Sequence, residues 1–119
     1  MVVTQSMKFM VALVRPHRLD DVVAAFQREG MRGLVVSEAR DYGQTGPTEI
    51  YRGAEYTAKF QPMFRIESAV PTNQIDRITQ IIVGAAQMGR PDDGRIRVFD
   101  LEQETPICIE SETAPRRAA

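Results

Sequence analysis

The feature that most constrains the fold of this chain is a continuous apolar run, FMVALV at residues 9–14, which ends at Arg15 and Pro16. A run this short, ended by a proline, is typical of a β-strand that is buried on both faces. Such a strand must lie inside a sheet, and both sides of that sheet must be covered.

A helical pattern follows this strand. Leu19, Val22, Val23 and Phe26 recur at the spacing of one helix face, with polar residues on the other side. An acidic pair in the first turn favours the helix dipole, and Gly30 is a suitable stop signal.

Four more elements complete the pattern. Strands are predicted at residues 34–36, 60–70 and 96–101. Apolar and polar residues alternate in the last of these, which is typical of a half-buried strand. A second helix is predicted to begin at Thr72, with Thr72 as its N-cap, and to end at Gly89. Between the second and third strands, about residues 41–58 are rich in turn residues and then in polar ones. We interpret them as one long loop, and such loops are usually functional.

The order strand–helix–strand, long loop, strand–helix–strand predicts an α+β, ferredoxin-like βαββαβ domain with one antiparallel sheet and two helices. Two helices cover one face of that sheet, whereas the apolar first strand implies burial on both. A partner subunit can cover the second face, so the sequence suggests an oligomer. We expect a single domain over residues 1–110 and a disordered tail over 111–119.

Composition excludes several classes of function. The net charge of −1 disfavours binding to DNA or RNA, which normally needs a basic surplus. One cysteine and one histidine do not make a zinc site. No apolar run is long enough to span a membrane, and the N-terminal residues lack the features of a signal peptide. We therefore expect a cytoplasmic protein without a metal or prosthetic group.

Three segments carry more specific information: RPHRLDDV at residues 15–22, TEIYRGAEY at 48–56 and GRPDDGRIRVF at 89–99. Together they closely resemble the PII signal-transduction family, whose typical segments are KPFKLDDV, TELYRGAEY and GKIGDGKIFVF. The second segment is the most specific, because eight of its nine positions match. The spacing also fits, apart from one residue that is missing between Gly43 and Thr48.

The resemblance implies a non-enzymatic regulator. PII proteins are homotrimers that bind ATP or ADP between neighbouring subunits and dock the long loop on a partner, either a transporter or an enzyme. Contact with a membrane would then be peripheral, through a transporter. Many members also sense 2-oxoglutarate through Mg-ATP, and some are uridylylated on a loop tyrosine, which is Tyr56 here.

The resemblance also implies a set of site residues. Those for the adenine nucleotide are Val35, Asp41, Tyr42, Gly43, Gln44, Glu67, Ala69, Gly89, Arg90, Pro91, Asp92, Asp93, Gly94 and Arg95. Tyr51 and Tyr56 are candidates for partner docking or modification.

The chemistry of the third segment supports phosphate binding. Gly94 lets backbone N–H groups approach a phosphate because it has no side chain, and Arg95 offers a fork of donors that is always charged. Asp92 replaces a family glycine, and its negative charge should weaken the binding of a triphosphate. Glu67 matches a family glutamate that could pair with Arg95 when no nucleotide is bound.

Two departures from the family pattern bear on ligand preference. A family arginine pair that reaches a neighbouring subunit's phosphates is replaced by Pro106 and Cys108. Charge-assisted phosphate contacts contribute about 1.5–3 kcal/mol each, so ADP or AMP should be favoured over ATP. Met63 stands where the family has a lysine for 2-oxoglutarate, which makes classical 2-oxoglutarate sensing doubtful.

These departures resemble divergent, carboxysome-associated PII-like proteins that respond to adenine nucleotides and bicarbonate. A bicarbonate ion needs a nearby positive group or backbone donors, for which Arg95 and the N–H groups around Gly43 are candidates. The alternative is a classical nitrogen-regulatory PII protein that senses ATP, ADP and 2-oxoglutarate.

Two other functions fit these residues less well. A small acyl phosphate hydrolase needs a nucleophile or a positioned arginine–asparagine pair, and the chain offers only Asn73 at a helix start. An RNA-binding domain of the same topology needs exposed strand aromatics and a basic face, whereas the strands here are mostly aliphatic.

Overall fold

A computed structural model of the chain describes residues 6–42, 48–51, 54–57 and 60–108, with only the backbone described at 48–51 and 54–57. Its elements are β1 (Met7–Val14), α1 (Leu19–Arg28), β2 (Val35–Asp41), β3 (Thr48–Tyr51), β4 (Ala54–Thr57), β5 (Gln61–Pro71), α2 (Ile75–Ala86) and β6 (Gly94–Leu101), with 3-10 turns at Pro16–Arg18 and Thr72–Gln74. The predicted disordered tail, residues 111–119, lies outside the described residues.

The main sheet has the order β2-β5-β1-β6 with every neighbouring pair antiparallel. The apolar strand β1 is central, and Ala12 lies opposite Ile66 on one side and Ile96 on the other. Both helices pack on one face of this sheet. The arrangement confirms the predicted ferredoxin-like βαββαβ fold.

The hydrophobic core lies between the helices and the sheet. Alternate residues of β1 and β5 point into it, because successive strand side chains face opposite sides. Its fully buried members include Met10 and Ala12 from β1, Phe26 from α1, Ile66 from β5 and Ile82 from α2. The apolar residues that recur at helical spacing therefore determine which face of each helix packs against the sheet.

The long connection between the second and third strands of the main sheet contains a hairpin that was not predicted. β2 continues to Asp41, and β3 and β4 form a separate antiparallel hairpin with Glu49 opposite Tyr56. The two hairpin segments, TEIY and AEYT, are rich in β-branched and aromatic residues, which favour strands. Pairing them satisfies backbone hydrogen-bonding groups that an open loop would leave to water.

The start of the second helix also differs from its prediction. α2 begins at Ile75 after a 3-10 turn, and Thr72 does not cap it. The Thr72 hydroxyl instead forms a hydrogen bond of 2.9 Å with the Ser6 hydroxyl, and its backbone N–H donates to the Ser6 carbonyl oxygen. Thr72 thus ties the end of β5 to the residue that precedes β1.

The sheet face opposite the helices, here called the open face, is not packed against any described helix or second sheet of the chain. Phe9, Val11 and Leu13 of β1 lie on it and are only partly buried, whereas Phe99 of β6 is half-exposed. A strand with apolar residues on both faces is thereby left with one face uncovered. Across the described ranges, no helix is long and apolar enough to cross a membrane.

Beyond the end of β1, the sheet continues as a two-stranded ribbon, residues 39–41 of β2 paired with 61–63 of β5. Met63 lies on the open-face side of this ribbon, opposite Ala39, and is nevertheless only 2% exposed. It does not belong to the core cluster under the helices. The ribbon therefore does not project straight into solvent but packs back against the molecule.

Candidate functional site

The turn between α2 and β6 is closed by the carboxylate of Asp93. Its Oδ2 accepts hydrogen bonds from the backbone N–H groups of Met88 and Arg90, the latter at 3.1 Å. The hydrogen bond from Met88, followed by that from Arg90, holds the pKa of Asp93 below its ordinary value of 3.8. Gly89 adopts a positive φ of 82°, which suits glycine. Asp93 therefore shapes this turn through one of its two carboxylate oxygens.

Gly94 is the first residue of β6 and carries the turn against β1. Its φ of 138° is one that other residues rarely adopt, and its Cα lies directly beside the Leu13 carbonyl. Glycine at this position lets the backbone of the turn approach β1 closely. Arg95 follows at once, so its side chain leaves the turn onto the open face.

Asp92 is paired with Arg15, a contact that links the turn to the end of β1. The Arg15 Nε donates to the Asp92 backbone oxygen at 2.9 Å, and its Nη2 donates to the Asp92 carboxylate. Both side chains are largely buried, at 17% and 24% exposure. Arg15 thus neutralises the negative charge that the sequence suggested would weaken a triphosphate.

Asp41 and Arg95 form a bidentate ion pair. The Arg95 Nη2 donates to Oδ1 at 2.8 Å and Nη1 donates to Oδ2 at 3.2 Å. These hydrogen bonds lower the pKa of Asp41 and raise that of the guanidinium. Arg95 was expected to pair with Glu67, which makes no ion pair within the described residues. The carboxylate at the end of β2 holds Arg95 instead.

The register shows how far this ion pair reaches. Arg95 lies in one row with Leu13, Arg65 and Ser37, and Asp41 lies four residues beyond Ser37 on β2. In a flat sheet, three strand spacings of about 4.8 Å and four residues of about 3.3 Å would separate the two backbones. The side chains cannot span that diagonal. The ribbon must therefore curl across the open face, which also explains why Met63 is buried.

The open face holds a cavity of about 370 Å³ beneath this curl. It is lined by Val11, Leu13, Ala39, Arg40, Asp41, Arg65, Glu67, Arg95, Arg97 and Phe99. Three of the predicted site residues, Asp41, Glu67 and Arg95, meet here although they lie far apart in sequence. Val35 is the register partner of Glu67, and Ala69 is two residues further along the same face of β5.

The other predicted residues have different outcomes. Tyr42 is 66% exposed, and its ring centroid lies 5.8 Å from the ring centroid of Phe60. The Arg40 guanidinium lies over the same Phe60 ring, 4.9 Å from its centroid. Arg90 and Pro91 are exposed in the turn. Gly43 and Gln44 lie outside the described residues, as do the side chains of Tyr51 and Tyr56, whose backbones belong to β3 and β4.

Sequence reasoning missed three arginines of this region. Arg15 gave no signal of its partner, because its contact with Asp92 joins residues 77 positions apart. Arg65 and Arg97 did leave a signal: they alternate with period 2 alongside Glu67 and Arg95, which places charged side chains on one strand face. Within the described residues, neither Arg65 nor Arg97 has an ion-pair partner.

Comparison with known proteins agrees with this geometry. The family profile described as "Nitrogen regulatory protein P-II" matches residues 7–108. The chain belongs to the nitrogen regulatory P-II family. Proteins of this family are regulators rather than enzymes, so the chain is a signal-transduction protein and not an enzyme.

Individual relatives are similar over most of their length. The nitrogen regulatory protein P-II of Rhizobium etli is 40% identical over 102 residues, which cover 85% of this chain and 91% of the relative. Nitrogen regulatory protein P-II 1 of Escherichia coli is 43% identical over 96 residues, with 80% and 86% covered. A crystal structure of Arabidopsis thaliana PII bound to citrate superimposes with a TM-score of 0.65 at 27% identity, covering 82% of this chain and 78% of that one.

Proposed function

We propose that this P-II protein binds an adenine nucleotide in a cleft between neighbouring copies of a homotrimer and controls a partner protein through the segment around β3 and β4. The phosphoryl end of the nucleotide lies at the Asp92–Arg95 turn, and the adenosine part lies along Val35, Glu67 and Ala69. The partner is a transporter or an enzyme.

One observation carries the proposal: Gly94 brings the turn against β1 while Arg95 points from that turn into the open-face cavity. The cavity of about 370 Å³ has the size of a small-ligand site. Its most accessible cations, including Arg95 at 43% side-chain exposure, suit a phosphoryl group better than a neutral ligand. Citrate in the related Arabidopsis structure is also an anionic ligand, which is in keeping with an anion site in this fold.

The trimer is supported by the open face. An apolar central strand with one face uncovered in the single chain needs a partner, and further copies of the same chain can cover that face. A cleft between copies would then complete the site with residues of a second subunit.

ADP and AMP are favoured over ATP. Pro106 and Cys108 carry no positive charge where the family pattern has arginines for a neighbouring subunit's phosphates, and each lost contact costs about 1.5–3 kcal/mol. The pairing of Asp92 with Arg15 means that this preference does not rest on Asp92. The preference for ADP and AMP over ATP is therefore attributed to the missing arginines at positions 106 and 108 alone.

A second small anion, bicarbonate, is a further candidate ligand, as the resemblance to carboxysome-associated PII-like proteins implies. Arg95 is engaged by Asp41, but Arg65 and Arg97 line the same cavity without an ion-pair partner in the described residues. The competing assignment is a classical P-II protein that senses ATP, ADP and 2-oxoglutarate. It is less favoured because Met63, at the position of the family lysine, is apolar and buried.

Isothermal titration calorimetry with ADP, AMP and ATP tests the proposal. We expect ADP to bind in the micromolar range, ATP to bind no more tightly, and Arg95→Ala to weaken ADP binding at least tenfold, because a charge-assisted contact is lost. Arg32→Ala is the matched control, since Arg32 is exposed between α1 and β2, away from the cavity. Equal ADP affinity in wild type and Arg95→Ala would contradict the proposed site.

A further inference from the structure

The ion pair between Asp41 and Arg95 occupies the end-on fork of the guanidinium, which a phosphoryl group can also use. Both terminal nitrogens of Arg95 are used, one for each carboxylate oxygen. A guanidinium binds phosphate through the same two-pronged geometry that it uses for a carboxylate. The Asp41 carboxylate and a ligand phosphate therefore cannot hold this fork at the same time.

Asp41 is also the last residue of β2, at the tip of the ribbon. Its bond to Arg95 spans 54 residues of sequence and connects the ribbon to the phosphate turn. The ribbon leads directly toward the segment that carries β3 and β4. The position of this ion pair decides whether the ribbon curls over the open face or is free to lift from it.

We propose that Asp41 is a built-in competitor for the phosphoryl ligand, so that ligand binding at Arg95 releases the ribbon and ribbon closure excludes the ligand. This inference rests on the proposed nucleotide site and adds a residue that sets its affinity and couples it to the neighbouring segment. The coupling is reciprocal: a partner that holds the ribbon in its lifted position raises phosphate affinity by the same factor.

The ribbon is built to move as one unit. On its side opposite Asp41, the Arg40 guanidinium lies over the Phe60 ring, and Tyr42 packs against the same ring. These contacts join β2 to the start of β5 independently of Arg95. Releasing Asp41 therefore removes a tie between the ribbon and the open face. The released two-stranded ribbon is then held mainly by its own pairing, which is marginally stable, so its backbone hydrogen bonds open more often.

The expected size of the effect is moderate. The pair is partly solvent-exposed, with side-chain exposures of 43% and 22%. With an ion pair of this strength, a fraction of the molecules has the pair open and can bind the ligand. The apparent affinity for the ligand is reduced in proportion to that fraction. We expect Asp41→Asn to bind ADP about three- to tenfold more tightly than wild type.

The test combines calorimetry with hydrogen exchange of the ribbon amides. In wild type, ADP should accelerate exchange at residues 39–41, 61 and 63, whereas in Asp41→Asn exchange should be fast without ADP and unchanged by it. Glu38→Gln is the matched control, because it removes one exposed carboxylate from the same strand without touching the pair. In an Arg95→Gln background, Asp41→Asn should have no effect on affinity, because the competition requires both residues.

The outcomes separate this inference from the proposed function. Equal ADP affinity in wild type and Asp41→Asn, with ribbon exchange unaffected by ADP, overturns the competitor while leaving the nucleotide site intact. If no nucleotide binds to any variant, the proposed function fails. In that case, the exchange rates of the ribbon amides in wild type and Asp41→Asn still test whether the ion pair holds the ribbon. Equal exchange rates in the two proteins would overturn this part of the inference as well.

Discussion

A β-carbon added to Gly94 would lie 2.0 Å from the carbonyl oxygen of Leu13. No real contact between a Cβ and an oxygen is that short, and the oxygen belongs to the central strand, which cannot move aside. The close approach of these two residues sets where the turn between α2 and β6 meets the sheet. The requirement for glycine here is thus steric as well as conformational.

Gly94→Ala should lower the free energy of unfolding by about 2–4 kcal/mol, because both the clash and the positive φ are unfavourable. Urea denaturation followed by circular dichroism measures the change. Gly84→Ala is the control: Gly84 is inside α2, has open space around its Cα, and should gain about 0.5–1 kcal/mol from higher helix propensity. Similar stabilities for the two variants would contradict the steric explanation.

Arg15→Gln should destabilise the protein by about 1–2 kcal/mol, because it leaves the largely buried Asp92 carboxylate without its cation. The same denaturation experiment measures this, and Asp92→Asn in the Arg15→Gln background should recover part of the loss. Arg18→Gln leaves the Asp21 carboxylate, which is 62% exposed, without its cation and should cost less than about 0.5 kcal/mol. Equal losses for the two arginine variants would mean that burial of the first pair is unimportant.

Replacing Pro106 and Cys108 together by arginine should increase ATP affinity by a factor of about ten or more, with a smaller gain for ADP and the smallest for AMP. Added positive charge acts most strongly on the nucleotide with the most phosphates. Calorimetry with the three nucleotides gives the ranking. Ile107→Arg, at the intervening exposed position, controls for charge alone, and an equal gain there would argue against a positional effect.

Acid should destabilise the protein in part through Asp93. Its pKa is lowered in the folded state, so the unfolded state binds a proton first as pH falls. The stabilisation is complete above about pH 5 and is lost as pH falls past 3.8 and through the lowered folded pKa. The free energy of unfolding of Asp93→Asn should therefore depend less steeply on pH between 5 and 3 than that of wild type. Asp41 and Asp100 also have lowered pKa values, so some slope remains.

Met63→Lys should lower the free energy of unfolding by about 2 kcal/mol or more, since the position is only 2% exposed beneath the ribbon. Met63→Leu keeps the volume and should cost less than about 1.5 kcal/mol. Thermal and urea denaturation compare the two variants. A lysine that is tolerated without loss would show that the ribbon lifts easily in the absence of ligand.

Much of the fold followed from local patterns in the sequence. Residues 9–14 identified the central strand because an apolar run of that length, ended by proline, has few other solutions. Helical spacing in Leu19, Val22 and Phe26 fixed the first helix for the same reason. The hairpin of β3 and β4 was missed because a segment rich in turn and charged residues resembles a loop until its two halves are seen to pair.

Some features of the candidate site could likewise be predicted from the sequence, and others could not. The turn at Gly94 and Arg95 was identified from the resemblance of residues 89–99 to the family segment, and its role in phosphate binding stays a prediction. The charge balance of the site was not, because Asp92 finds Arg15 and Arg95 finds Asp41 across 77 and 54 residues. Those partnerships depend on strand register and on the curl of the ribbon, which are properties of the packed sheet. The sequence determined which groups are present, and the tertiary structure decided which of them neutralise one another.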